Sequence, residues 1–174
     1  LFKSDGTNWV ANFRPGWTKY YNTFDFPDKN ILVVIAGGQG YVMSPDDEKP
    51  RFTFGLTITE ALQTADGSLV CADNVRIVFL DNSNGQLWVS ERISWDGIKD
   101  LKISGDTVSG TTYDPTNSIQ EWNDFSINLK TKEITGGSYT DFLKQNPHLE
   151  VGDNGMLREK VTTTTTKKPW WKIW

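Results

Sequence analysis

Histidine, cysteine and paired carboxylates are the side chains that would do acid–base or nucleophilic work, and this chain is short of the first two. It has one histidine, His148, and one cysteine, Cys71. A hydrolase triad needs a base beside its nucleophile. His148 follows Pro147 with no spaced partner and reads as an exposed loop residue. Zinc takes three or four Cys, His or carboxylate ligands, which one cysteine and one distant histidine do not supply. Cys71 sits in the apolar run Ser68-Leu69-Val70-Cys71-Ala72, the setting of a small core residue, and a single cysteine excludes an internal disulfide. The run Asp81-Asn82-Ser83-Asn84-Gly85 looks like a calcium loop. Its glycine is fifth where an EF-hand needs the sixth position, and Arg92 stands where the bidentate acid belongs. Gly38-Gln39-Gly40 lacks the third glycine and the helix start of a phosphate fingerprint. Neither a metal nor a cofactor is expected.

Carboxylates are plentiful, and two of them beside a tryptophan platform could cleave or hold a sugar. The candidates are Asp46, Asp47, Glu48, Glu91, Asp96, Glu121 and Asp124. Asp46 to Glu48 form a charge cluster in a Pro-flanked loop, which is ordinarily a solvated tip. Trp95-Asp96 and Trp122-Asn123-Asp124 each place an acid near an indole, so Trp95, Asp96, Trp122 and Asp124 are the candidate ligand surface. Core or cross-strand packing is the expected role of most of Trp9, Trp17, Trp88, Trp95 and Trp122. The chain is read as non-enzymatic on balance.

The C-terminus carries a different kind of chemistry. Thr162 to Thr166 form an extended spacer, followed by Lys167-Lys168-Pro169-Trp170-Trp171-Lys172-Ile173-Trp174. Lys167, Lys168, Trp170, Trp171, Lys172 and Trp174 are candidate contacts to a partner, as aromatic anchors that fill pockets. The same residue types suit an anionic membrane surface, although three lysines and three indoles on a tether bind only marginally. A tail folded back over the domain's own apolar surface is the third reading.

Charge separates the tail from the body. The chain has 18 bases and 22 acids, and three lysines fall after residue 160. Residues 1–160 therefore carry 15 bases against 22 acids, or −7. An acidic body argues against nucleic acid, which needs a basic face, and suits a basic protein partner or solubility. No apolar run reaches the length of a membrane span. With no N-x-Ser/Thr sequon and no cysteine pair, a bacterial cytoplasmic setting is expected. The chain opens on Leu1, which leaves room for a removed leader and a secreted or periplasmic alternative.

Strands must position these residues, because period-two patterning dominates. Trp9 to Phe13 and Trp17 to Phe26 read as strands or strand-like segments. Ile31 to Ala36 reads as a central strand, turning through Gly37 to Gly40 into Tyr41-Val42-Met43. Phe52 to Thr59 reads as one strand, and Thr59 to Gln63 as a turn of helix. Three more hairpins pair Val75–Leu80 with Gln86–Arg92, Leu101–Ile103 with Val108–Thr112, and Phe125–Leu129 with Ile134–Gly136. Tyr139 to Gln145 reads as a short helix capped by Thr140 and stopped by Pro147. The predicted fold is all-β, an antiparallel meander closed as a barrel or folded as a two-sheet sandwich. It spans 1–148, followed by an irregular segment and Thr-rich linker over 149–166 and the basic aromatic tail over 167–174. No internal repeat is discernible.

Trp95-Asp96-Gly97, Gly105-Asp106-Thr107-Val108-Ser109-Gly110, Tyr113-Asp114-Pro115, Phe125 to Leu129 and Gly136-Gly137-Ser138-Tyr139 resemble segments of small, uncharacterised bacterial β-proteins. Some of those are of the immunity-protein type found in polymorphic toxin systems. The resemblance covers a quarter of the chain and implies a non-enzymatic domain that neutralises a toxin, here a basic one. A carbohydrate-binding β-sandwich and a membrane-peripheral protein tethered by its tail are the alternatives.

Overall fold

A computed structural model describes residues 1–119, 121–153 and 155–160. The chain divides into two compact units, Leu1–Asp141 and Phe142–Trp174. The first unit holds three four-stranded antiparallel sheets in chain order. Sheet 1 comprises β1 (Asn22–Phe26), β2 (Ile31–Ala36), β3 (Gln39–Met43) and β4 (Phe52–Phe54). Sheet 2 comprises β5 (Ile58–Gln63), β6 (Leu69–Asp73), β7 (Arg76–Leu80) and β8 (Leu87–Val89). Sheet 3 comprises β9 (Ile98–Ser104), β10 (Thr107–Tyr113), β11 (Trp122–Asn128) and β12 (Ile134–Gly136). Helix α1 (Ser138–Gln145) follows, then β13 (Leu149–Val151) and β14 (Leu157–Glu159) as a two-stranded hairpin.

The all-β antiparallel meander expected from the sequence is present, as sheet packed on sheet. Two cores account for the packing. Val33, Ile35, Val42 and Phe54 of sheet 1 meet Ile58, Leu69, Cys71, Val78 and Leu80 of sheet 2. Val70, Ala72, Ile77 and Phe79, from the opposite face of sheet 2, meet Ile98, Leu101, Val108, Phe125 and Ile127 of sheet 3. Sheet 2 is therefore buried on both faces. That explains why β6 and β7 read as unbroken apolar runs, whereas β9 and β11 alternate. The meander unit recurs three times although no sequence repeat announces it, because each copy needs only the period-two pattern and a turn.

The outer faces close differently. On sheet 1, Val34, Ala36 and Met43 are buried beneath the N-terminal segment. Phe13 packs on Tyr41 at 5.1 Å between centroids, and the Trp9 indole N–H donates to the Pro45 carbonyl at 2.7 Å. The outer face of sheet 3 is instead polar, carrying Lys102, Ser109, Thr111, Asp124 and Ser126.

Several local expectations need correction. Phe52 to Thr59 is not one strand: Gly55 adopts φ +60° and passes the chain from sheet 1 to sheet 2. Thr59 to Gln63 belongs to β5 rather than to a helix, since pairing with β6 overrides local propensity. Trp9 to Tyr21 joins no strand ladder and bends over Trp17–Lys19, so the predicted strand over Trp9 to Phe13 is absent and that over Trp17 to Phe26 is confined to β1, Asn22–Phe26. Helix α1 begins at Ser138, so Thr140 lies inside it and does not cap it. The segment 149–160, read as irregular, contains the β13–β14 hairpin. Residues 161–174, with the candidate contacts Lys167, Lys168, Trp170, Trp171, Lys172 and Trp174, lie outside the described residues. Among the described residues, no helix is long and apolar enough to cross a membrane.

Candidate functional site

Each sheet turns its first and third connections towards the same end of the stack, so six gather there: residues 27–30, 44–51, 64–68, 81–86, 105–106 and 129–133. Three clefts open between their tips. One of ≈ 410 Å³ separates sheets 1 and 2, with Ile31, Phe52 and Leu80 among its apolar lining and Lys29, Arg51 and the Asp81–Gly85 loop around it. A second, ≈ 610 Å³, lies between sheets 2 and 3 and contains Asp66, Asp81, Asp106, Lys130 and Lys132. The third, ≈ 240 Å³, is bordered by Asp25, Asp28 and Asp66.

Hydrogen bonds define what these charges can do. Asp81 Oδ1 accepts from the Ser83 N–H at 2.7 Å and the Ser83 hydroxyl at 2.6 Å. These bonds hold its carboxyl below the ordinary aspartate range, with help from the Lys132 charge. Asp81 is thus the staple of its own turn. Asp66 is likewise depressed, chiefly by the Thr64 hydroxyl, and also accepts from the Ser68 N–H. Asp106 pairs with Lys130 at 2.7 Å, which raises the lysine. Lys132 sits 4.1 Å from the Phe79 ring centre and 5.0 Å from that of Trp88 and donates to the Leu129 carbonyl. Burial lowers its pKa. Asp25 and Asp28 are exposed.

The acidic loop read as a solvated tip has a structural duty. Asp46 accepts from the Ser4 N–H and hydroxyl at 2.8 and 2.9 Å and from the Asn30 amide at 2.6 Å. Those bonds, the Ser4 N–H first, lower its pKa and pin the N-terminal segment beside sheet 1. Glu48 pairs with Lys3 at 3.3 Å.

The sequence-predicted ligand surface lies elsewhere. Trp122 stacks over Gly97, where an added methyl would lie 3.6 Å from its Cη2, so the Trp95-Asp96-Gly97 loop and Trp122 do meet. Both indoles are already engaged. Trp95 packs edge-on against Tyr139 at 4.8 Å with the Arg92 guanidinium beside both rings. Trp122 is tilted against Tyr113 at 5.4 Å and has the Lys99 ammonium 3.7 Å from its ring centre. Asp96 accepts from the Asn74 amide at 2.8 Å. Asp124 lies on the outer face of sheet 3, in a shallow ≈ 520 Å³ groove with Asp100, Lys102, Ser109 and Thr111.

The two side chains best suited to nucleophile and base, Cys71 and His148, lie in different units of the chain. Cys71 is buried, and burial pushes its thiol pKa far up. His148 is exposed in the second unit. The tip face escaped sequence reading because its acids come from six separate connections. Two of those connections share a local signal, Asp66-Gly67-Ser68 and Asp81-Asn82-Ser83, each with a hydroxyl residue two positions after an aspartate, but Asp5-Gly6-Thr7 and Asp114-Pro115-Thr116 carry the same pattern away from this face.

No protein-family model matches the chain, and no curated protein matches it. Solved structures that are similar include a chain of the S. cerevisiae complex of a Dbp5 variant bound to Nup159, a Gle1 variant, IP6 and ADP. That match has 12% identity and a TM-score of 0.44 and covers 70% of this chain and 34% of that one. The N-terminal domain of Nup159 matches with 13% identity, the same TM-score and the same coverage. The chain thus spans about a third of those chains. So loose a superposition carries no weight for function.

Proposed function

We propose that this chain is a non-enzymatic protein-binding domain that presents its hairpin-tip face to a basic partner. The observation that carries the reading is the charge of that face. Asp25 and the six connections contribute nine acids and five bases, a net −4, out of the −7 carried by residues 1–160. Concentrated charge steers encounter and raises association rates more than it adds affinity. In its sharper form, the partner is a basic toxin that the domain neutralises, as the resemblance of residues 95–139 to immunity proteins suggests.

The test takes proteins captured from lysate at low salt and measures their association with the wild type and with Asp25→Asn/Asp28→Asn/Asp47→Asn. All three residues are exposed. The expected result is a wild-type association rate that falls steeply with salt, and a variant rate about ten-fold lower at low salt. Rates indifferent to both salt and substitution would sink the reading.

One feature favours carbohydrate binding as a second reading: the outer-face groove of sheet 3, which holds Asp124 two residues along β11 from Trp122, is rich in hydroxyls and carboxylates. Against it, Lys99 and Tyr113 already pack on the indole. A panel of oligosaccharides that leaves tryptophan fluorescence unchanged would remove it. The membrane reading rests on residues 167–174 alone.

A further inference from the structure

Residues 6–24 contain no acid, in a chain that has 22, and they include Arg14, Lys19 and six aromatics. Trp17 is 80% exposed and Tyr21 65%. Burial alternates along the stretch, so that Gly16, Thr18 and Tyr20 are half-buried while Trp17, Lys19 and Tyr21 are exposed. An indole left this open to water on a loose coil would ordinarily collapse onto nearby apolar surface.

This one is held out by its backbone. The Gly16 N–H donates to the Ala36 carbonyl at 2.9 Å, the Trp17 N–H to Leu56 at 3.0 Å and the Thr18 N–H to Gly37 at 2.9 Å. The Gly38 N–H donates back to the Tyr20 carbonyl at 3.1 Å. The Thr18 hydroxyl donates to the Ile58 carbonyl at 2.7 Å. Gly16 permits this approach, since a Cβ there would lie 2.4 Å from the Leu56 carbonyl oxygen and 2.7 Å from that of Gly37. The platform is therefore ordered before any partner arrives, which lowers the entropic cost of binding.

We propose that Trp17, Lys19 and Tyr21, with Arg14 upstream, form a docking site for an acidic segment of a partner protein that also carries an apolar side chain. Tryptophan and tyrosine held rigidly in the open are the residue types that dominate binding energy. The charge selects the sign of the partner: two cations stand in a stretch of sequence without acids, on a body whose net charge over residues 1–160 is −7 and therefore disfavours an acidic segment at its acid-rich surfaces. The site lies by the Gly37–Gly38 turn, at the opposite end of β2 from the hairpin-tip face. It is a separate surface with the opposite charge preference, and either site can fail without the other.

The experiment selects phage-displayed random dodecapeptides on the immobilised full chain, then measures the synthetic consensus peptide against variants. The expected pool is enriched in Asp and Glu flanking Leu, Phe or Trp. Its consensus should bind Trp17→Ala and Lys19→Glu about ten-fold more weakly, with the melting temperature of Trp17→Ala unchanged. Tyr21→Ala, at a second exposed position, serves if Trp17→Ala alters folding. Residues 167–174 are present in every variant, so binding through them would ignore these substitutions and overturn the proposal. A neutral or basic pool, no enrichment, or tighter binding of oligo-dT than of the consensus peptide would overturn it equally.

Discussion

Aspartate is the residue that fixes the loops of this molecule. At Asp5, Asp66, Asp81 and Asp114 the carboxylate accepts from an N–H or hydroxyl two residues away, closing a turn that the backbone alone would leave loose. The D-x-[S/T] pattern was legible in the sequence; that Asp66 and Asp81 share one end of the sheets while Asp114 lies at the other was not, because nothing local says which turns share an end. These bonds tie stability to pH in one direction. Asp66 and Asp81 titrate below their ordinary value in the folded state and near about 3.9 when unfolded. Between those values the unfolded chain binds more protons, so stability falls with falling pH. The contribution is whole above about pH 4 to 5, and it is lost as pH drops through the lowered native values. Asp81→Ala should cost about 1 kcal/mol near neutrality, the usual worth of such bonds. It should also make the acid side of a plot of melting temperature against pH shallower. An acid limb of unchanged slope would place the responsible protons elsewhere.

At the scale of elements, two sheets use the same device. Gly40 of β3 lies opposite Phe54 of β4, and a Cβ there would meet the ring at 2.5 Å. Gly110 of β10 lies opposite Phe125 of β11, where a Cβ would be 2.9 Å from the ring and 2.8 Å from the Lys99 carbonyl. In each pair the ring covers the gap that the glycine leaves, a known way of keeping a glycine within a strand. Gly110→Val should therefore destabilise by about 2 kcal/mol through overpacking, despite the higher strand propensity of valine. Urea denaturation checks this, with Ser109→Val on the polar face as a control expected to be near neutral; a stabilised Gly110→Val would refute the packing account. The same locality explains what could be read beforehand. Ile31–Ala36 was legible to the residue, being an unbroken apolar run ended by two glycines of positive φ. β5 was not: Thr59 to Gln63 has helix-forming Glu, Ala, Leu and Gln, and only its partner β6 makes it a strand. Nor could alternation say that Trp17 faces water and Trp88 the Lys132 ammonium, since a period of two does not name its faces.

For the first unit as a whole, the consequence is two cores in series that share one sheet. Sheet 2 gives Leu69, Cys71 and Val78 to the first core and Val70, Ile77 and Phe79 to the second. Neither core survives loss of that sheet. The ends of the stack are closed by the N-terminal segment on sheet 1 and by polar residues on sheet 3, as stacked repeats require of their outermost members. Leu69 and Ile77 are fully buried on opposite faces of sheet 2, and truncating either to alanine should cost about 2–5 kcal/mol. The two substitutions separate a shared sheet from independent layers. If sheet 2 couples the cores, both variants unfold in one transition, lowered as a whole, and tryptophan fluorescence and far-UV circular dichroism report the same midpoint. If the layers are independent, Leu69→Ala loosens sheet 1 first and Ile77→Ala sheet 3 first, and the two probes diverge. Coincidence is expected, because each outer sheet has one apolar face and nowhere else in the unit to bury it.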